Sequence, residues 1–316
     1  MIMARDPESA TVEVDLPADF DEFWAETLRL TDEVPPDPEL VSVPRMSTPA
    51  VDVFELRYTS YDQMRIAAWL TMPAGHPPGT AFPAVLHVPG YISEPSVLKS
   101  WSERGYVTVG LAPRGKLRSN GRFNPGYPGL LTHNMVDRFT YGYRGFYADV
   151  VRAVDVLATL PGVDPDRVGI WGSSQGGGLG IVAAALRPEV VRCVAAGAPY
   201  LCGIMASPGW THSYPYEEIN EYLRVHPEHE RLLTETASYF DGLNFAPKVR
   251  APIFVYLGME DDVCPPETGF AVYRLLESEK ELHTYPRCGH DSGLRWVIPL
   301  VEKFVDSHLH PEGVGA

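Results

Sequence analysis

Residues 167–180 read RVGIWGSSQGGGLG, an apolar run that ends in two adjacent serines and a cluster of glycines. The run reads as a strand and residues 175–187 as a helix, so the glycines sit at a strand-to-helix turn. A phosphate loop of the GxxxxGK[ST] type is excluded, because no lysine or correctly placed threonine follows. A dinucleotide fingerprint can be laid on Gly178, Gly180 and Ala183. Those residues fall inside the helix, however, away from the free N–H groups that would meet phosphate, and the next strand, VAAGAPY, ends without an acidic residue. What is left is Gly172-Ser173-Ser174-Gln175-Gly176, the pattern G-x-S-x-G in the one context where it carries chemistry. A sharp turn exposes its central residue, so Ser174 is the candidate nucleophile and Ser173 is expected to pack within the turn.

Outward from this turn, short apolar runs recur at 84–90, 107–115, 192–200, 253–258 and 281–286, each read as a strand. Runs apolar on both faces predict a sheet covered on both sides. Helical patterns fall between or after them, at 94–104, 145–160, 266–279 and 293–309. The alternation predicts a mostly parallel sheet with right-handed crossovers, an α/β architecture in a single domain. VDVFELRYTS (51–60) and MRIAAWLTMP (64–73) alternate more cleanly and predict an antiparallel hairpin at the sheet edge. Two stretches stand outside the pattern. Residues 1–48, which hold a helix (DFDEFWAETLRL) and then the proline-rich DEVPPDPELVSVP, are expected to form a surface arm. Residues 201–248 form an insertion long enough to be a lid or a substrate-binding segment.

Composition narrows the function. The chain has 316 residues, 45% of them hydrophobic, and a formal net charge of −15. Such an acidic chain is repelled by phosphate backbones, which argues against nucleic-acid binding. No basic run or long apolar span points to a membrane, and the N-terminus lacks a signal-peptide apolar core, so a cytoplasmic location is expected. Cys193, Cys202, Cys264 and Cys288 form no CxxC pair and are expected to be reduced thiols. His226 and His229 in HPEH read as a solvated face, without a third ligand; no metal site is expected.

A serine hydroxyl needs a general base, and the base an orienting acid. In this architecture both follow in loops after later strands, in the order serine, acid, histidine. The strand 253–258 runs into MEDDVCPP, which offers Glu260, Asp261 and Asp262. The last strand runs into RCGHDSG, which offers His290. His87 lies within an early strand and is read as structural. Preorganised donors must also meet the oxyanion of a tetrahedral intermediate. The Gln175 N–H, at the start of the helix, is one candidate, and the Gly90-Tyr91 segment after AVLHVP supplies the other.

These residues together resemble the acetylxylan esterase and cephalosporin C deacetylase family, carbohydrate esterase family seven of the α/β-hydrolases. The likeness runs from DFDEFWAETL through RGYVTVGLAPRG, YGYRGFYADVVRAVDVL and GSSQGGG to GMEDDVCPPET and CGHD. It implies Asp261 as the acid, His290 as the base, and main-chain N–H groups of Tyr91 and Gln175 as oxyanion donors. It further implies an acyl pocket formed by Tyr91, Pro215 and Val263, no cofactor, and assembly as a homo-oligomer, commonly a hexamer. The substrate expected from it is a small acetyl ester of a sugar or other alcohol. Three segments depart from the family pattern: Arg114-Gly115-Lys116 for RGQ, His290-Asp291 for HE, and Pro89-Gly90-Tyr91 for HGY. They leave room for an acyltransferase, a lactone or peptide hydrolase, or a biosynthetic tailoring enzyme built on the same triad. A non-catalytic scaffold is the remaining alternative, opposed by the presence of every triad member.

Overall fold

The computed structural model describes residues 6–119, 121–126 and 128–310. Nine strands form one sheet in the order β1-β2-β3-β5-β4-β6-β7-β8-β9. The parallel part comprises β4 (Phe82–Val88), β5 (Val107–Ala112), β6 (Val163–Ser173), β7 (Val191–Gly197), β8 (Ile253–Gly258) and β9 (Lys280–Tyr285). β5 and β8 are buried at every position, as expected for strands covered on both faces. The predicted hairpin is present as β2 (Val51–Ser60) and β3 (Met64–Pro73), which pair in register from Val51↔Pro73 to Ser60↔Met64 and join the sheet antiparallel to β5.

One face of the sheet is covered by α3 (Gly142–Thr159), α4 (Gln175–Leu186) and α8 (Pro266–Leu275), the other by α2 (Lys99–Glu103) and α9 (Leu294–Leu309). The insertion between β7 and β8 contains α5 (Glu217–Val225), α6 (Glu230–Phe240) and α7 (Gly242–Phe245). Among the described residues no helix is long and apolar enough to cross a membrane.

Three details differ from the sequence expectations. The first helix, α1 (Phe20–Asp32), is not part of a surface arm: its Phe20, Phe23 and Trp24 are buried against α3 and the insertion. Trp24 stacks on Tyr147 with ring centroids 5.4 Å apart, and its indole N–H donates to the Tyr239 carbonyl at 2.9 Å. Residues 6–19 before it are exposed or half-buried, and the proline-rich stretch after it stays largely at the surface, where β1 (Glu39–Ser42) adds an exposed edge strand. The helix expected over 94–104 is limited to Lys99–Glu103; Pro95 disfavours helical geometry in Glu94 alone, and the Ser96 backbone instead packs against Gly110 of β5, where a Cβ would collide with its carbonyl.

Candidate active site

The parallel strands β4, β6, β7, β8 and β9 all end on one edge of the sheet, and the candidate residues sit in the loops leaving that edge. This is where open α/β sheets form their crevice. Ser174 follows the last residue of β6 and caps α4, with φ 58° and ψ −122°. A non-glycine residue in that region is strained by about 1–3 kcal/mol, so the surroundings must hold it there. They do so from three sides. The Ser174 N–H donates to the Gly197 carbonyl at 2.9 Å, and its carbonyl accepts from Gly178 at 3.1 Å and Tyr200 at 3.0 Å. Gly176 is required for close approach, since a Cβ there would collide with the Val88 carbonyl at the end of β4.

β8 and β9 bring the candidate acid and the candidate base together. Backbone bonds from Met259 to the Tyr285 carbonyl (3.1 Å) and from Glu260 to the Cys288 carbonyl (2.9 Å) lock the two post-strand loops side by side. Asp261 is turned inward, its side chain only 1% exposed. One of its oxygens accepts from the Val263 N–H (2.8 Å) and the Cys264 N–H (2.9 Å), so the buried carboxylate is held by main-chain donors. His290 Nδ1 lies 2.8 Å from the other oxygen. Since a carboxylate can only accept, this geometry selects the tautomer of the neutral ring that carries its proton on Nδ1 and its lone pair on Nε2. Of the other two acids left open by spacing, Glu260 is exposed and Asp262 reaches outward toward the Ser213 hydroxyl at 3.4 Å.

Ser174 and His290 line one cavity of about 400 Å³, whose walls include His87, Gly90, Glu94 and Trp171. Within hydrogen-bonding range the Ser174 hydroxyl meets the Cys264 thiol, at 4.0 Å, rather than His290. So long a contact leaves the hydroxyl with no strong partner to give up before turning toward the imidazole. His87 is no rival base, because burial pushes its pKa down to about 4 and keeps the ring neutral. Cys264 is likewise inert, since burial raises its thiol well above the usual range. All four cysteines are free.

Of the remaining sequence candidates, Gly90 alone lines this cavity. The Gln175 side chain is buried and accepts from the Tyr143 hydroxyl at 3.2 Å, while its backbone opens α4. Gly90 is beside Ser174: a Cβ built on it would stand 3.9 Å from Ser174 Cβ. Tyr91 is buried, and its hydroxyl donates to Glu218 at 2.6 Å. Pro215 is buried and Val263 half-buried, on segments joined by bonds from Thr211 and Ser213 to Asp262. None of the three expected acyl-pocket residues, Tyr91, Pro215 and Val263, is among the residues that form the 400 Å³ cavity. Sequence reasoning missed Glu218, whose signal is faint: one acidic residue in the YPYEEIN segment of the insertion. His226, Glu228 and His229 do come together, with potential ligand atoms within 4.8 Å of one another, but on the surface of the insertion.

A serine at an elbow after β6, an acid after β8 and a histidine after β9 define an α/β-hydrolase. Within that class the chain belongs to the acetyl xylan esterase family, whose profile (AXE1) matches residues 10–308. It is 30% identical over 279 residues to acetyl esterase Axe7A of Xylanibacter ruminicola; the match covers 84% of this chain and 61% of that protein. The chain thus spans less than two thirds of that relative's length. The fold superposes on an acetyl xylan esterase from Paenibacillus sp. R4 with a TM-score of 0.88 and 29% identity, covering 96% and 98% of the two chains. Acetyl xylan esterase 1 from Thermoanaerobacterium sp. JW/SL YS485 gives 0.86 and 27%, covering 97% and 98%.

Proposed function

We propose that the protein is a serine esterase that removes small acyl groups, acetyl foremost, from a sugar or other small alcohol. One observation carries the reading: a histidine whose Nδ1 is held 2.8 Å from a buried carboxylate shares a cavity with a serine locked at φ 58°. Family membership and the relatives' names support it.

The Ser174 oxygen attacks the ester carbonyl as its proton passes to His290 Nε2, and Asp261 stabilises the imidazolium. Backbone N–H groups of Gln175, at the positive end of α4, and of Tyr91 receive the charge on the carbonyl oxygen. The intermediate collapses, the bond to the alcohol oxygen breaks, and His290 returns the proton to the departing alcohol. Water then gives a proton to His290 and attacks the acyl carbon. The bond to Ser174 breaks, the serine is reprotonated, and acetate leaves. No metal or cofactor enters these steps. Self-association into a homo-oligomer, a hexamer by the family resemblance, is part of the same reading.

The test is hydrolysis of p-nitrophenyl acetate compared with longer acyl esters. Turnover should fall with chain length, and Ser174→Ala should lose activity by about 10⁴-fold or more. Undiminished hydrolysis by that variant would overturn the assignment. Product formation that favours an added alcohol or amine acceptor over water would redirect it to acyl transfer.

A further inference from the structure

Lys116 stands in the segment that departs from the family pattern, and its environment is unusual for a lysine. It is buried, with 6% of its surface exposed. Its ammonium donates to the Gly90 carbonyl at 2.8 Å and also to the Tyr91 carbonyl. These two carbonyls belong to consecutive peptides of the loop that passes beside Ser174. The Gly90 carbonyl and the Tyr91 N–H are the two ends of one trans peptide, so they point in opposite directions. Pulling the carbonyl toward Lys116 therefore aims the N–H away from it.

We propose that Lys116 is a positioning residue for the oxyanion loop, holding the Gly90–Tyr91 peptide so that its N–H faces the reacting carbonyl, and that this hold depends on the lysine's charge. The inference rests on the esterase reading. A glutamine at this position, as in the family pattern, can donate to a carbonyl but cannot titrate; a lysine does both.

The charged and titratable surroundings fix the direction of the effect. Burial lowers the lysine to about pKa 8, with Glu94 on the same loop acting the other way. Arg114, two residues upstream, is matched by the buried Asp149. The Tyr91 phenol is bonded to Glu218 and held protonated by burial. Below about pH 8 the ammonium makes charge-assisted bonds; above it the neutral amine donates more weakly, and the loop is held less firmly.

The experiment measures kcat and KM on a small acetyl ester from pH 6 to 10 for the wild type, Lys116→Gln and Lys116→Met, with near-ultraviolet circular dichroism reporting packing. The wild type should lose kcat as pH rises through about 8. Lys116→Met should lose roughly 10- to 100-fold in kcat with little change in KM, and show no break near that pH. Lys116→Gln should recover most of the rate, also without the break. If Lys116→Met is misfolded, the pH profile of Lys116→Gln decides alone. An alkaline break that persists unchanged in Lys116→Gln overturns the inference, as does wild-type kcat in a folded Lys116→Met. Should the wild type hydrolyse no ester and Ser174 resist a phosphonate probe, the esterase reading itself fails instead.

Discussion

At the scale of single residues, the site is set by what each side chain is denied. Ser174 is denied an ordinary backbone conformation, and Asp261 is denied water but given two main-chain donors and the His290 ring. Asp261→Asn keeps the shape yet can offer Nδ1 a donor in place of an acceptor, which flips the imidazole tautomer. The expected result is a fall in kcat of about 10³–10⁴-fold at neutral pH with an unchanged melting temperature, checked by steady-state kinetics and calorimetry. The elbow serine was legible from five residues and their context, because the glycines it needs are written into the chain. The acid was not. Spacing left Glu260, Asp261 and Asp262 equivalent, and only the family resemblance or the fold separates them, through the turn that points Asp261 inward and leaves Asp262 outside.

At the scale of elements, the loops leaving the sheet carry the candidate triad and the insertion braces the Tyr91 loop. α5 sends Glu218 from the insertion to the Tyr91 hydroxyl, and the other oxygen of Glu218 accepts from the Leu131 N–H at 2.9 Å. Burial raises the pKa of this carboxyl, an indication that the fold holds it in place against a desolvation cost. Glu218→Ala should loosen the Tyr91 loop and lower kcat/KM by roughly tenfold or more, visible in the same ester assay. The central strands were readable because burial on both faces leaves a continuous apolar run. β1 was not, since ELVS is exposed at every position and leaves no pattern. Helix α1 was readable as a helix, but not its destination: the Trp24 indole finds its acceptor 215 residues away.

At the scale of the whole molecule, one buried ion pair ties three regions together. Arg114, after β5, donates through Nε and a terminal nitrogen to both oxygens of Asp149 in α3, each at 2.9 Å, and reaches the Tyr61 carbonyl in the hairpin turn. Asp149 is fully buried, so removing it strands a cation. Asp149→Ala should cost about 3–5 kcal/mol in unfolding free energy, measured by guanidinium denaturation. The net charge of −15 and the buried α1 belong to this scale too, and only the first can be read without the fold.

The central claim, that Ser174 is the nucleophile and His290 its base, is tested most directly by exposing the protein to an organophosphonate probe and locating the added mass by peptide mass spectrometry. The account predicts a single adduct on Ser174, absent in Ser174→Ala and formed much more slowly in His290→Ala. An adduct on Ser173, or labelling at an unchanged rate without His290, would contradict it.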